Sequence, residues 1–557
     1  MARLFAPASK LEEGIFRLWK ELRPDDAFAM GLEECAGRFF VPTPGNVRRA
    51  VATIDRLKAS TRDPAARKFL AAMRTRLTLP EPAALPEGIL ESLFMYMVKE
   101  GVRDDHIRSL LIEGRKALEA GHRTVRAARW PAGMRALVLN ACHGLGEVLD
   151  TVEKEAREPA TLEALAALRT AVARYEKVFA LEGFRPDGTF EEIFEAFRRH
   201  GADLGRARTY AKALRDLWDY SETPAQVEAA GLRMMRRELP RFQAIVRSFA
   251  EELDSEPTGE AVDEALKKTR GLAKDAILPF LNGLREVAIR VARKHLIDIN
   301  PKYTTLVVET PSYLANMTPS GAAFSLDTLT DHPREIFLAT TDERSNPRPT
   351  AAELLNLLVH EEYGHCVHGS NAAHRYRADP GILDILNGPA VCTSEGLAFQ
   401  IELDFVPILQ GIAARRLRGP EEDAFVEFLR GYGGVERMSR EYEFNTMLWR
   451  IVRFLRVVGD ARINSGKQGL VDFVEWAHER TGLRKATVYY QVFPAHQVLG
   501  PGYASTYAII GARVGAIQKE ALRRGKRLRD YNGYAASIGW PARSVFEAKL
   551  EAWAKAK

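Results

Sequence analysis

ELLNLLVHEEYGHCVHG, residues 353–369, is an apolar helical run that leads directly into three histidines and two adjacent carboxylates. His360-Glu361 followed by Gly364-His365 is similar to the metal-binding motif His-Glu-x-x-His, whose histidines lie four residues apart on one helix face. Here the two histidines are five residues apart. An α-helix turns by about 100° per residue, so a regular helix would aim these side chains roughly 140° apart.

A metal site at His360 and His365 therefore requires a one-residue bulge in this helix. We predict the bulge at residues 362–364, because Gly364 lacks a Cβ atom and makes such a distortion cheap. If the helix were regular, the two histidines would face apart and the metal assignment would be wrong.

A third ligand and a base are needed for hydrolysis, since a hydrolytic zinc ion takes about three protein ligands and leaves one position for water. Glu395, in the segment CTSEGLAFQIELDF at residues 392–405, is the candidate third ligand. Glu361 is the candidate general base, which takes a proton from water whose pKa the metal lowers to about 7. The sequence thus predicts one Zn²⁺ ion held by His360, His365 and Glu395.

Other interpretations of these residues stay open. An interior histidine bonded to a backbone carbonyl would also explain His360, and a carboxylate at a helix start would explain Glu395. Glu362 and His365 have the Glu-x-x-His spacing of two-metal helical bundles, although the next helix offers no second such pair. Two further histidines are candidate ligands, His368 and His374.

A second polar group lies near the C-terminus, at His496 and in GPGYASTY, residues 500–507. A hydrolytic site must stabilise an oxyanion, and a hydrogen-bond donor aimed at it contributes roughly 2.7–4 kcal/mol. Tyr503 and Tyr507 are four residues apart and would share a helix face. We take His496, Tyr503 and Tyr507 as candidate catalytic residues, with amphipathic packing of the tyrosines as the alternative.

Three arginines, Arg450, Arg453 and Arg456, step along the apolar segment MLWRIVRFLRVVGD, residues 447–460. Charged groups inside an apolar pattern need partners. An internal ion pair with Glu or Asp is one interpretation, and bidentate binding of a substrate carboxylate is the other. For the second interpretation, Arg450 and Arg453 are the candidate substrate-binding residues.

Helical patterns dominate the first 300 residues, for example at 223–253 and 260–297. Helix after helix without intervening strands is typical of an all-α architecture. We predict a mainly α protein with two helical halves around a deep cleft. The N-terminal half comprises residues 1–300, and residues 301–557 form the catalytic half.

Three short segments after residue 300 are rich in β-branched and aromatic residues, at 303–309, 321–327 and 334–342. They predict a small sheet at the edge of the cleft. We expect the last of them, REIFLATTD, to be an edge strand that binds an extended peptide by strand addition.

The composition is that of an ordinary globular protein, with 46% apolar and 28% charged residues among 557. The net charge of +6 is small for this length and gives no reason to expect a nucleic-acid partner. Cys35, Cys142, Cys366 and Cys392 are far apart, as expected for reduced thiols. We see no signal-peptide pattern and no apolar run of 18 residues, so we expect a cytoplasmic protein without a membrane partner.

Taken together, these motifs make the chain resemble the bacterial family called domain of unknown function 885, at low identity over most of its length. HEEYGHCVHG resembles the HExxPGHH motif of that family, and EGLA at residues 395–398 resembles its EGWA segment. Arg450, Arg453 and Asp460 resemble its R-x-x-R helix, and PGYASTY resembles its closing PGQxxxY. The family looks like a relative of thimet oligopeptidase, angiotensin-converting enzyme and carboxypeptidase Taq. The resemblance implies a neurolysin-like helical fold, a zinc ion and peptidase activity.

Two features depart from the family pattern. The chain lacks the proline before the motif glycine, and its histidines are five rather than six residues apart. That spacing is similar to the HExxGH motif of dipeptidyl peptidase III, which implies that working zinc sites tolerate such variation. A later tyrosine that donates to the transition state in thimet oligopeptidase falls on Ile510, so His496, Tyr503 and Tyr507 stay alternatives for that role.

The residues and the resemblance lead us to expect a zinc metallopeptidase of the oligopeptidase or carboxypeptidase/dipeptidase type, which hydrolyses short peptides with Glu361 as base. A zinc hydrolase of non-peptide amides, or a metal-binding pseudo-peptidase without proteolytic activity, would use the same ligands and is the alternative. A purely structural helical scaffold is the third hypothesis. The motifs carry no information on the oligomeric state.

Overall fold

The helical patterns of the first 300 residues form a long series of helices. The computed structural model describes residues 7–126, 129–311, 320–342, 347–376, 383–386 and 392–556. The protein is mainly α, with one three-stranded sheet among these residues. The helices before the sheet are α1 (Lys10–Leu22), α2 (Pro24–Ala29), α3 (Pro44–Ala59), α4 (Pro64–Thr78), α5 (Ala84–Glu100), α6 (Asp104–Val125), α7 (Ala132–Glu155), α8 (Pro159–Phe179), α9 (Phe190–His200), α10 (Tyr210–Leu217), α11 (Pro224–Leu253), α12 (Gly259–Arg270) and α13 (Lys274–His295).

The motif stretch begins the second series of helices. Between α14 and α15 the chain forms a π-helix, Val359–Cys366. The helices after the sheet are α14 (Ala351–Leu358), α15 (Val367–Tyr376), α16 (Cys392–Ala413), α17 (Pro420–Arg430), α18 (Gly434–Asn464), α19 (Leu470–Thr481), α20 (Lys485–Val492), α21 (Pro494–Gln497), α22 (Thr506–Arg523), α23 (Leu528–Ser537) and α24 (Arg543–Lys555).

The single helix expected at 260–297 is instead two helices, α12 and α13. The chain breaks at Gly271, which forms an isolated β-bridge with Thr350. Thr350 also caps the motif helix, because its hydroxyl accepts a hydrogen bond from the Glu353 amide at 3.1 Å. The break therefore ties the segment before α13 to the start of the motif helix.

The strands β1 (Thr305–Glu309), β2 (Gly321–Leu326) and β3 (Arg334–Ala339) form a sheet in the order β1-β3-β2. β1 is parallel to β3, and β2 is antiparallel to it. The expectation that the third segment is an edge strand is therefore wrong. β3 is central, and its apolar run fits a strand that is covered on both faces, since its last three residues are buried.

Two glycines set the position of α16 between the π-helix and α22. A Cβ atom at Gly364 would lie only 2.8 Å from the Cα atom of Ala398 on α16. A Cβ atom at Gly396 would lie 2.7 Å from the Cβ atom of Ile510 on α22. The α16 backbone therefore approaches both neighbours closely, which places Glu395 beside the motif histidines.

The two predicted halves share one connected apolar core. α11 from the first part of the chain packs along α18 from the second. The boundary at residue 300, and the cleft between two halves, stay predictions.

One helical segment among the described residues, Thr393–Ala413, is long and apolar enough to cross a membrane. Since 78% of its apolar window is buried inside the protein, it fits a core helix. Cys35, Cys142 and Cys366 are buried and form no disulfide bond among the described residues, and the side chain of Cys392 lies outside the described part. The cytoplasmic location stays a prediction.

The close approach at Gly364 can be tested with Gly364→Ala. We expect this variant to lower the free energy of unfolding by about 1–3 kcal/mol, because the added methyl group meets helix backbone that cannot move aside. Urea unfolding measures the change. The control is Gly146→Ala in α7, where a Cβ atom meets nothing within 4 Å and helix propensity favours alanine. Equal stability of the two variants would contradict the packing argument.

Candidate metal centre

The π-helix brings the two motif histidines together. Its hydrogen bonds join residues five apart, as shown by the Val367 amide, which donates to the Glu362 carbonyl. Residues five apart therefore stack on one face, as residues four apart do in an α-helix. The Nε2 atoms of His360 and His365 lie 3.2 Å apart. The bulge predicted at residues 362–364 is confirmed.

Contacts on the opposite side of the turn hold this geometry. Glu362 is fully buried and accepts two hydrogen bonds from Arg285 on α13, at 2.7 and 2.8 Å. The Tyr303 hydroxyl donates a third at 3.1 Å. Glu362 thus faces away from His365, and its carboxylate is occupied by a guanidinium group rather than by the neighbouring histidine.

Glu395 on α16 completes a triangle with the two histidines. Its Oε2 atom lies 3.6 Å from Nε2 of His360 and 3.5 Å from Nε2 of His365. Metal–ligand bonds of about 2.1 Å in tetrahedral geometry place ligand atoms about 3.4 Å apart, so the three edges fit one zinc ion. Glu395 Oε2 is also buried and has no hydrogen-bond partner among the described residues. The donor set and this orphaned oxygen therefore fit a metal ion.

The outer nitrogens of both rings are held by hydrogen bonds. His360 Nδ1 lies 2.5 Å from Glu402 Oε1, and His365 Nδ1 lies 2.8 Å from Ser394 Oγ. Arg453 donates to Glu402 Oε2 at 2.7 Å. Since Glu402 can only accept, the Nδ1 atom of His360 carries a proton, and Nε2 is the nitrogen that faces the site and would offer its lone pair to a metal ion.

The charges of the site call for a cation at its centre. Burial disfavours the charged form of His360, but Glu395 and Glu402 outweigh it and raise the pKa of His360 to about 10. Burial also opposes ionisation of Glu395 and Glu402, yet the facing cations lower the pKa of Glu402 to about 2 and hold that of Glu395 well below its usual range. Arg453 already balances Glu402, so a proton or a metal ion is needed to balance Glu395.

Glu361 follows His360 on the π-helix and is half-buried. No described residue donates a hydrogen bond to its carboxylate. Burial raises its pKa, although His360 and His365 act in the opposite direction. A carboxylate that is close to the ligands, without a partner and more basic than usual, has the properties of a general base.

Tyr503 and Tyr507 converge on the outer oxygen of Glu395. Their hydroxyls donate to Oε1 at 3.3 and 3.0 Å, and lie 3.3 Å from each other. Burial and the charge of Glu395 raise the pKa of Tyr507, so it stays a neutral donor. Both tyrosines therefore orient the third ligand and leave its Oε2 atom for the metal.

His496 lies beside both tyrosines, with ring centroids 6.1 Å from Tyr503 and 5.9 Å from Tyr507. Its Nδ1 atom is buried and has no partner in the described part of the chain. Burial and the charge of Arg456 hold its pKa well below the usual range, so the ring is neutral. Of the three candidate oxyanion donors, the two tyrosines already donate to Glu395, whereas no hydrogen bond joins His496 to Glu395 in the described part of the chain.

Asp460 on α18 anchors the loop that carries these residues. Its carboxylate accepts hydrogen bonds from the Gly502 amide at 3.0 Å, the Ser505 hydroxyl at 2.6 Å and the Tyr210 hydroxyl at 2.9 Å. Gly502 has a φ of +96°, and a Cβ atom there would meet the Trp218 ring. The loop therefore depends on a buried acceptor and on the absence of a side chain.

The remaining candidates do not belong to the ligand triangle. Arg450 donates to Glu238 at 2.6 and 3.0 Å, as an internal ion pair would, and Arg453 is paired with Glu402. His368 lies within 2.9 Å of the Gly539 carbonyl oxygen. Burial lowers its pKa to about 4. His374 lines a different cavity, of about 250 Å³.

Sequence reasoning missed two residues that hold the ligands, Ser394 and Glu402. Glu402 lies seven residues after Glu395, which is two helical turns and therefore the same face of α16. That periodicity was a usable signal. Ser394 has no comparable signal, since serine at a helix start is common for capping alone.

Glu402→Gln tests the support of His360. The amide keeps the shape of the side chain but loses the charge, so we expect zinc affinity to fall by about 10- to 100-fold. Competition with a chromophoric chelator measures the dissociation constant. The matched control is Asp404→Asn on the same helix, a buried carboxylate that bonds to Gln400, Gln518 and Asn532 and to neither motif histidine. A similar loss in both variants would assign the effect to general destabilisation.

Comparison with known proteins identifies the fold. The chain matches no protein-family model and no curated protein. A crystal structure described as a "putative lipoprotein" from Colwellia psychrerythraea is 15% identical, with a TM-score of 0.60 over 98% of this chain and 99% of that one. A "putative lipoprotein of unknown function" from Shewanella oneidensis is also 15% identical, with a TM-score of 0.61 over the same shares. At this identity the likeness shows a shared fold over the whole chain.

Proposed function

We propose that this protein is a zinc-dependent peptidase that hydrolyses short peptides. The observation that carries the proposal is the triangle of His360, His365 and Glu395, whose edges of 3.2, 3.5 and 3.6 Å match tetrahedral zinc ligation. A structural zinc site closes its fourth position with a protein ligand. Within the described residues, the cluster of candidate ligand atoms contains these three alone, which leaves a position for water.

The contacts described above suggest a role for each residue of the site. A zinc ion bound here would supply Lewis acidity towards the substrate carbonyl and lower the pKa of water to about 7. Glu361 accepts the proton of the attacking water and delivers it to the leaving amine. Glu402 holds the ring of His360, while Tyr507 holds the carboxylate of Glu395. His496 is the candidate donor to the developing oxyanion.

A peptide substrate is favoured by the position of the sheet. β2 packs against the π-helix and has β3 on one side. Its outer edge would accept an extended chain by strand addition. β2 thus takes the role first expected of β3. The motif resemblances given above led to the same expectation, although the chain matches no family model.

Glu361→Gln tests the enzymatic proposal. We expect peptide hydrolysis by the zinc-loaded protein to fall by about 10²- to 10⁴-fold, because the amide cannot accept the water proton. Zinc should stay stoichiometric, since the three ligands are unchanged. Mass spectrometry of a digested peptide library and metal analysis of the same samples provide the two measurements.

The outcomes of that experiment separate the alternatives. Stoichiometric zinc without hydrolysis of any peptide by the unmodified protein would favour a non-peptide amide substrate or a pseudo-peptidase. Peptide hydrolysis that is unchanged in Glu361→Gln would contradict the assignment of the base. If the protein is purified without chelators and still binds no zinc when the ion is added, the structural scaffold is the remaining hypothesis.

His496 and Tyr507 should affect different quantities. We expect His496→Phe to lower kcat by about 10²- to 10³-fold with little change in zinc affinity, because phenylalanine offers no hydrogen-bond donor to the oxyanion. Tyr507→Phe should weaken zinc binding, because Glu395 loses a hydrogen bond that orients it. Steady-state kinetics and chelator competition on both variants measure kcat and zinc affinity separately and so distinguish the two roles. If Tyr507→Phe lowers kcat at unchanged zinc affinity, the tyrosine is the oxyanion donor instead.

A further inference from the structure

We propose that Arg456 binds the C-terminal carboxylate of the peptide substrate, which makes this protein an exopeptidase that acts from the C-terminus. The inference rests on the proposed peptidase function and names its substrate class. It differs from the expectation that Arg450 or Arg453 has this role.

Arg456 differs from the other two arginines of α18 in its partners. Arg450 donates to Glu238, and Arg453 donates to Glu402. Arg456 instead donates through Nε to the Gln491 carbonyl at 3.1 Å and through Nη2 to the side chain of the same residue. These acceptors are neutral, and Nη1 has no acceptor among the described residues. A guanidinium group that is only 6% exposed and has no carboxylate partner among the described residues gains stability when an anion joins it.

The position of Arg456 fits such an anion. Its guanidinium carbon lies 5.4 Å from the centre of the Tyr507 ring, and the hydroxyl of that ring is bonded to Glu395 at 3.0 Å. One tyrosine thus separates Arg456 from the zinc ligand. An extended peptide advances about 3.3–3.6 Å per residue, so one or two residues beyond the cleaved bond span this separation.

The charge balance supports the same conclusion. Burial and the neighbouring Arg453 lower the pKa of Arg456 to about 10, which still leaves it protonated at neutral pH. Its hydrogen bonds go to Gln491, so no carboxylate of the described residues is bonded to this guanidinium group. A substrate carboxylate would supply the missing counterion.

A structural role is the competing explanation. Gln491 lies in the last turn of α20, and arginine side chains often bind the carbonyls of a helix end. Such a role accounts for the bond to the Gln491 carbonyl but gives no reason for discrimination between substrates. The two explanations therefore differ in how they depend on the substrate terminus.

The experiment uses N-acetylated short peptides, each synthesised as the free acid and as the C-terminal amide, with the zinc-loaded full chain. We expect the unmodified protein to prefer the free acids by about 10- to 100-fold in kcat/KM, as a hydrogen bond to a charged group provides. Arg456→Met should remove this preference by lowering kcat/KM for the acids alone. Arg456→Lys, which keeps the charge, should retain part of the preference.

The matched control is Arg462→Met on the same helix. Arg462 is paired with Glu228, which keeps Lys467 as a second partner, so this variant removes an arginine from α18 outside the site. It should preserve the preference for free acids. Equal losses on acids and amides in Arg456→Met, or no preference in the unmodified protein, would overturn the inference.

Failure of the peptidase proposal can be distinguished from failure of the carboxylate site. If the unmodified protein hydrolyses neither form, peptide binding is measured by calorimetry on the zinc-loaded protein. Tighter binding of acids than of amides, lost in Arg456→Met, would support the carboxylate site while the peptidase proposal fails. Equal binding of both forms, or no binding, would overturn the carboxylate site as well.

Discussion

The turn between His360 and His365 holds one residue more than an α-helix allows, and the metal centre depends on how the chain accommodates it. Arg285 binds Glu362 on one side of this turn. On the other side, the missing side chain of Gly364 allows the α16 backbone to approach closely. π-helical turns are rare and occur mostly at functional sites, so the geometry needs such tertiary support. The two Nε2 atoms meet because contacts from α13 and α16 hold the widened turn.

The polar interior around this turn consists of linked pairs rather than isolated charges. Arg453 neutralises Glu402, which orients His360 towards Glu395. Tyr507 then fixes the outer oxygen of Glu395. Because each member pairs with the next, removal of any one leaves a buried polar or charged group unpaired, which costs far more than loss of an exposed ion pair. α16 and α18 supply most members, so their packing determines the electrostatics.

Sequence reasoning succeeded where local spacing carries the information. The interval from His360 to His365 and the glycine within it were enough to predict the bulge. The order of the strands was not predictable in this way, because β3 is central only through pairing with segments on both sides. Arg285 binds Glu362 across 77 residues, and no local pattern reports such a pair. Similarly, only the folded surroundings reveal that Arg456 is bonded to Gln491 and not to a carboxylate of the described residues.

A π-helix also separates the spacing of two residues along the chain from their distance in space. It absorbs an inserted residue within a single turn, so helix on either side keeps its packing while the count between the two histidines changes. The distance in the chain and the distance in space are therefore independent at this motif. A pattern search that demands a fixed interval between the histidines discards proteins of this kind, whereas a search for converging imidazole and carboxylate atoms retains them.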